Sequence, residues 1–138
     1  MRIDEMATKE EVQTFFEQQF EGTKLIVESL GNKQAKLRRP VTKQDLRPGG
    51  TVSGPFMMAL ADAALYAAIF GELGITAMAV TTNMNINFLQ RPVASSDLLA
   101  ECSLLKVGKS LVVGEVSILS DGNTNPVAHA VGTFSIPK

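Results

Sequence analysis

The sequence predicts an α+β fold in which an antiparallel sheet of five to six strands curls around one long buried helix. Three observations carry this. The run Pro55–Phe70, PFMMALADAALYAAIF, is apolar except for Pro55 and Asp62, and a helix that is apolar all round belongs in a core. Alternating strand patterns joined by short turns fill the chain after it, and such connections make antiparallel neighbours. A single apolar helix beside such a sheet is buried by the sheet closing over it.

The elements follow in order. Thr8 with Glu11 fits a capping box, opening a helix through Phe20 with Val12, Phe15, Phe16 and Phe20 on its apolar side and Gly22 at its end. Leu25–Leu30 and Ala35–Arg39 are short extended runs divided by Gly31-Asn32, a hairpin signal. A loop containing Arg47-Pro48-Gly49-Gly50 leads to the long helix, with Gly54 as N-cap, Pro55 at the first helical position, and Gly71 and Gly74 closing it. In the strand Met78–Leu89, alternation puts Met78, Val80, Thr82, Met84, Ile86 and Phe88 on one face and Thr81, Asn83, Asn85 and Asn87 on the other. Asp97–Val107 and Leu111–Leu119 alternate across a Gly108-Lys109 turn, and Asp121-Gly122-Asn123 turns into Val127–Ile136.

At 138 residues the chain is read as one domain, with residues 1–22 a helical lead-in and 23–138 the core. The net charge of −1 argues against bulk affinity for nucleic acid or anionic membrane. One cysteine and one histidine leave no disulfide within the chain and no metal-ligand cluster. The first residues, MRIDEMATKEE, lack an apolar segment of the signal-peptide kind, and 55–70 is too short and alanine-rich for a bilayer span. A cytoplasmic protein is the expectation.

Asp62 is the residue that needs an explanation. Taking an ionised carboxylate from water costs several kcal/mol unless it is paired or hydrogen-bonded. It lies about two turns into the helix, beyond the first turn where the dipole would reward it. Either it pairs with a basic residue or a neighbouring subunit, or it is a desolvated functional acid. His129 alternates with Val127, Val131, Thr133 and Ser135, away from the helix, and reads as a partly exposed strand histidine. Cys102 shares a face with Leu98, Ala100 and Leu104 and reads as a buried thiol. Asparagine is depleted in strands, so Asn83, Asn85 and Asn87 either line a pocket or an interface or form a solvated face. Tyr66, one turn past Asp62, is placed to hydrogen-bond it or to pack.

Several stretches together resemble the hot-dog-fold acyl-CoA thioesterases of the phenylacetate-pathway (PaaI-like) type. They are GTVSGPFMMALADAALYAAI, the run from Asn83 to Leu119, and the closing VAHAVGTFSI. The specific elements are Gly50-x-x-x-Gly54, Leu60-Ala61-Asp62-x-Ala64, Asn85 to Pro92, and the final G-T-F. The resemblance implies that Asp62 is the catalytic carboxylate and that the Gly54 N–H polarises the thioester carbonyl, the two coming from different subunits of a dimer. A fixed N–H at a helix N-terminus suits that role, because the carbonyl oxygen gathers negative charge in the tetrahedral state. The chain departs from the family at Ser53 and Pro55, where the pattern is usually His-Gly-Gly, and at Arg47, where Asn or Gln is common.

Ser53, Arg47, Tyr66, Asn83 and Asn85 are expected to touch substrate. Lys106 and Lys109, flanking a turn, and the basic residues between Lys33 and Arg47 are candidates for the phosphates of coenzyme A. Phe56, Met57, Met58, Leu60 and Tyr66 would line a pocket for a medium-chain or aromatic acyl group. The expected function is hydrolysis of an acyl-CoA, itself the substrate, with no cofactor or metal, by a homodimer or a dimer of dimers that binds neither nucleic acid nor membrane. The alternatives are a non-catalytic acyl-CoA-binding protein and a hot-dog hydratase or dehydratase. The last would need a histidine near the helix, and residues 1–128 contain none.

Overall fold

Six strands in the order β1-β2-β4-β5-β6-β3, every neighbour antiparallel, wrap around the long helix in a computed structural model. It describes residues 6–20, 22–76 and 78–137; the first five residues of the N-terminal stretch considered above lie outside it. Helix α1 is Lys9–Gln19, the strands β1 and β2 are Ile26–Gly31 and Gln34–Arg39, and a single 3-10 turn spans Lys43–Asp45. Helix α2 is Gly54–Leu73, followed by β3 Val80–Phe88, β4 Leu98–Val107, β5 Leu111–Ser120 and β6 Ala128–Ser135.

Both bonds of the Thr8 capping box form, with Glu11 N–H on Thr8 Oγ1 at 3.1 Å and Thr8 N–H on Glu11 Oε1 at 3.0 Å. Val12 and Phe16 bury the inner side of α1, and Phe15 meets Phe70 of α2 edge-on at 5.1 Å. The β1–β2 turn falls on Asn32-Lys33 rather than Gly31-Asn32. Both turn residues have positive φ, 54° and 62°, as a two-residue hairpin turn with the twist of its strands requires. The Lys33 N–H is anchored 3.1 Å from the carboxylate of Glu72, buried near the end of α2.

Gly74, with φ 82°, caps α2, whereas Gly71 lies inside the helix. A Cβ at Gly71 would meet Leu30 Cγ at 3.0 Å, so that glycine serves close packing rather than termination. A similar demand shapes the sheet. Gly114 and Gly132 face each other across β5 and β6, and a Cβ on either would lie 2.6 Å from a Leu65 methyl. The paired glycines form a slot into which Leu65, itself fully buried, descends. Helix α2 is long and apolar enough in composition to cross a membrane, but here it is the core helix.

One face of α2 departs from the expectation of burial all round: Pro55, Met58 and Ala59 are exposed and Asp62 is half-buried in the single chain. Beside that face runs β3, at the sheet's edge, with Val80, Phe88 and the following Leu89 exposed.

Candidate active site

Asp62 stands in the wall of a cavity of about 510 Å³. Phe16 of α1, Phe20 at its C-cap, Leu25, and Phe56, Leu60 and Tyr66 of α2 supply its apolar surface, and Arg39 at the end of β2 supplies a second charged wall. The Asp62 Oδ1 accepts a 2.6 Å hydrogen bond from Thr81 Oγ1. Burial pushes the Asp62 carboxyl above its ordinary range, and the Thr81 bond pulls part of that shift back. Among the described residues of the single chain no cation pairs with Asp62, which is a hydroxyl-held, partly desolvated carboxylate.

Strict alternation put Thr81 on the same face as Asn83, Asn85 and Asn87. The β3–β6 register shifts between Thr81 and Asn83, so that Thr81 lies opposite Phe134 and Asn83 opposite Thr133. Thr82 is the extra residue of a β-bulge, which turns the side chain before it inward. From Asn83 onward the expected faces return, with Met84 and Ile86 inward. Asn83 and Asn85 are consequently exposed on the outer face, away from the Asp62 cavity.

Tyr66 does not bond Asp62. Its hydroxyl donates to the Ala79 carbonyl at 2.7 Å, and its ring packs edge-on against Phe134 at 4.7 Å. It remains a cavity wall, and both burial and the Asp62 charge push its own pKa upward.

The N-terminus of α2 forms a second, separate cleft of about 430 Å³, lined by Arg47, Thr51, Gly54, Met57, Phe88 and Arg91 among others. Ser53, not Gly54, is the N-cap: its hydroxyl accepts the Phe56 N–H at 3.2 Å, and the Met57 N–H reaches the Ser53 carbonyl at 3.3 Å. Pro55 has no N–H to offer. Gly54, at the first helical position, is left as the helix-start donor without an acceptor among the described residues. A side chain there would crowd the Phe88 ring at 3.1 Å. Arg47 is placed by a tight loop in which its N–H meets the Thr51 carbonyl and its carbonyl takes the Gly50 N–H. Ser53 is thus committed to the cap, a use that its reading as a substrate contact did not foresee.

Lys106 and Lys109 lie at the exposed β4–β5 turn and line neither cleft. Within the basic run from Lys33 to Arg47, three cations already face carboxylates. Lys36 lies near Glu28 and Glu101, Arg38 is bonded to Glu28, Asp97 and Asp121, and Arg39 to Asp45. His129 is half-exposed and meets Glu115 at 3.0 Å on the outer face; Val127, expected beside it, is buried at the entry to β6. Cys102 is buried, which pushes its thiol up to about 12 and leaves it a poor nucleophile.

Two residues escaped the sequence reading: Thr81, which holds Asp62 from β3, and Arg39 in the cavity wall. Thr81 was hidden by the bulge. Arg39 was one of several charges in a run, and its only distinguishing signal is that it shares the inner end of β2 with the start of the helix.

The model of the thioesterase superfamily matches residues 49–127. A provisionally named thioesterase from Silicibacter sp. TM1040 is 38% identical, with 99% of this chain and 96% of that one covered and a TM-score of 0.89. Zebrafish thioesterase superfamily member 2 shares the fold at 22% identity, covering 95% and 99% with a TM-score of 0.85. The PaaI protein of the E. coli phenylacetic acid degradation operon does so at 22%, covering 92% and 94% with a TM-score of 0.79. No curated protein matches the chain. The family match over more than half the chain and the 38% identical relative agree with the six strands and central helix: this is a hot-dog-fold thioester hydrolase that belongs to the thioesterase superfamily.

Proposed function

We propose that the protein hydrolyses a medium-chain or aromatic acyl-CoA to the free acid and coenzyme A, with Asp62 as general base and the Gly54 N–H as carbonyl donor. The observation that carries this reading is the Asp62 carboxylate, raised in pKa and held by Thr81 in the wall of a cavity otherwise lined largely by aromatic and aliphatic side chains. Thr81 occupies Oδ1, leaving Oδ2 to take a proton from water as the water oxygen adds to the thioester carbon. Negative charge on the carbonyl oxygen is met by the Gly54 N–H. The C–S bond then breaks, and the proton that Asp62 took from water passes to the sulfur, so coenzyme A departs as the thiol and the base is restored. No cofactor is needed, and a cytoplasmic setting fits a coenzyme A substrate.

Asp62 and Gly54 line different clefts of one chain. A working site therefore draws Asp62 from one subunit and Gly54 from another. The unpaired β3 edge and the exposed α2 face beside it suit a two-fold pairing of chains, and a dimer of dimers would follow by face-to-face contact.

The test is thiol release across an acyl-CoA panel by the wild type and Asp62→Asn. The substitution keeps shape but removes basicity, and the rate is expected to fall by about a hundredfold or more. Near-wild-type turnover in folded Asp62→Asn would overturn the assignment. Tight acyl-CoA binding by the wild type without release of thiol from any substrate would favour a binding protein.

A further inference from the structure

We propose that Arg39 is the specificity-determining residue of the Asp62 cavity, selecting acyl groups that carry a neutral oxygen acceptor, a hydroxyl or carbonyl, at their far end. This rests on the acyl-CoA reading above and adds the class of acyl group.

Among the described residues, only Arg39 and Asp62 bring charge to the cavity lining. The Arg39 guanidinium lies 4.8 Å over the Phe56 ring centroid. Its Nη1 donates to the Pro40 carbonyl at 2.6 Å and to Asp45 Oδ2 at 3.5 Å, and its Nη2 to Asp45 Oδ1 at 3.1 Å. A guanidinium has five N–H donors in a fixed fork. Three are taken, and the Nε–H and one Nη2–H have no acceptor among the described residues. The side chain is only 13% exposed. A purely hydrocarbon acyl group would displace water from these donors and return nothing, the costly case for a buried polar group.

The acceptor should be neutral, because the charge of Arg39 is already matched. Asp45 is held as a carboxylate by the Thr42 N–H at 2.8 Å and the Thr42 hydroxyl at 3.1 Å, which keep its pKa low. A second carboxylate would be brought against it. The spacing sets the length. Phe56, beneath the guanidinium, and Asp62 are six residues apart on α2, roughly 9 Å along the axis, about the reach of a six- to eight-carbon chain.

The experiment compares kcat/KM for octanoyl-CoA, 8-hydroxyoctanoyl-CoA and the mono-CoA thioester of octanedioic acid. The wild type is expected to favour the hydroxy substrate over both others by about tenfold or more, as sites built to hydrogen-bond a substrate do. Arg39→Met should bring the hydroxy and plain substrates within about twofold of each other. Arg39→Lys keeps the charge beside Asp45 but loses the fork, and should also lose the preference. A role confined to bracing Asp45 would lower Tm in both variants and leave the preference intact. Equal wild-type rates on octanoyl- and 8-hydroxyoctanoyl-CoA, or a preference for the dioic thioester, would overturn the proposal without any variant. If no thioester releases thiol, the hydrolase reading fails by itself. Calorimetric binding of S-octyl-CoA against S-(8-hydroxyoctyl)-CoA then decides the question for Arg39: tighter binding of the hydroxy analogue supports it, and equal binding overturns it.

Discussion

Thr81 reaches Asp62 because β3 carries one residue more than its partner strand needs. That hydroxyl stabilises the ionised carboxylate, opposing the burial that raises its pKa. Asp62 works as a base only when ionised, so the acid limb of kcat/KM should fall at a pH above the ordinary carboxylate range. Thr81→Val removes the opposing bond and should move the limb to still higher pH, measured in a pH–rate profile. A shift to lower pH would contradict the assignment. Asp62 itself was legible from sequence, since one charge among alanines and large apolar residues is visible in composition alone. Thr81 was not, because a period of two cannot register a bulge. Arg39 was equally hidden: nothing local separates it from Arg38, which spends itself on three surface carboxylates.

Among the elements, the capping box of α1 and the strand succession were legible because each rests on a local signal. The boundaries of α2 were misjudged by one residue at its start and by a glycine near its end. Ser53 takes the cap, which frees Gly54 for the first helical position. Gly71 was read as a stop because its tertiary neighbour, Leu30, lies forty-one positions away. The Gly114–Gly132 slot is likewise a tertiary feature, since neither glycine has a positive φ to announce it. Gly132→Ala should drive a methyl into Leu65 and destabilise the fold by about 1–3 kcal/mol, the usual cost of overpacking a full core. Chemical denaturation checks this, and an unchanged midpoint would mean that Leu65 is not seated as described.

At the scale of the molecule, the proposed shared site makes a quantitative demand. Gly54→Pro removes the carbonyl donor at the first helical position, where proline fits the backbone and its ring presses on Phe88, and Asp62→Asn removes the base. Each homodimer should be nearly inactive. After full random exchange of an equal mixture, half of the dimers are mixed and each holds one intact site of two, giving about a quarter of wild-type activity in a symmetric pair. Activity no higher than the sum of the two separate proteins would exclude a shared site.

The sheet's other edge has a different fate. Gln13 of α1 places its side-chain amide beside β1, donating to the Leu25 carbonyl at 2.9 Å and accepting the Val27 N–H at 2.7 Å. A primary amide here imitates the peptide unit of a further strand. In the proposed dimer, with β3 paired to a second copy, this amide opposes sheet extension at β1 and leaves each chain an extension valence of one. Growth would then end at two chains instead of running on as a fibril, and anything larger would stack on faces. Gln13→Ala would raise the valence to two. Light scattering on that variant should find concentration-dependent polymers, and a size distribution identical to that of the wild type would place the chain terminator elsewhere.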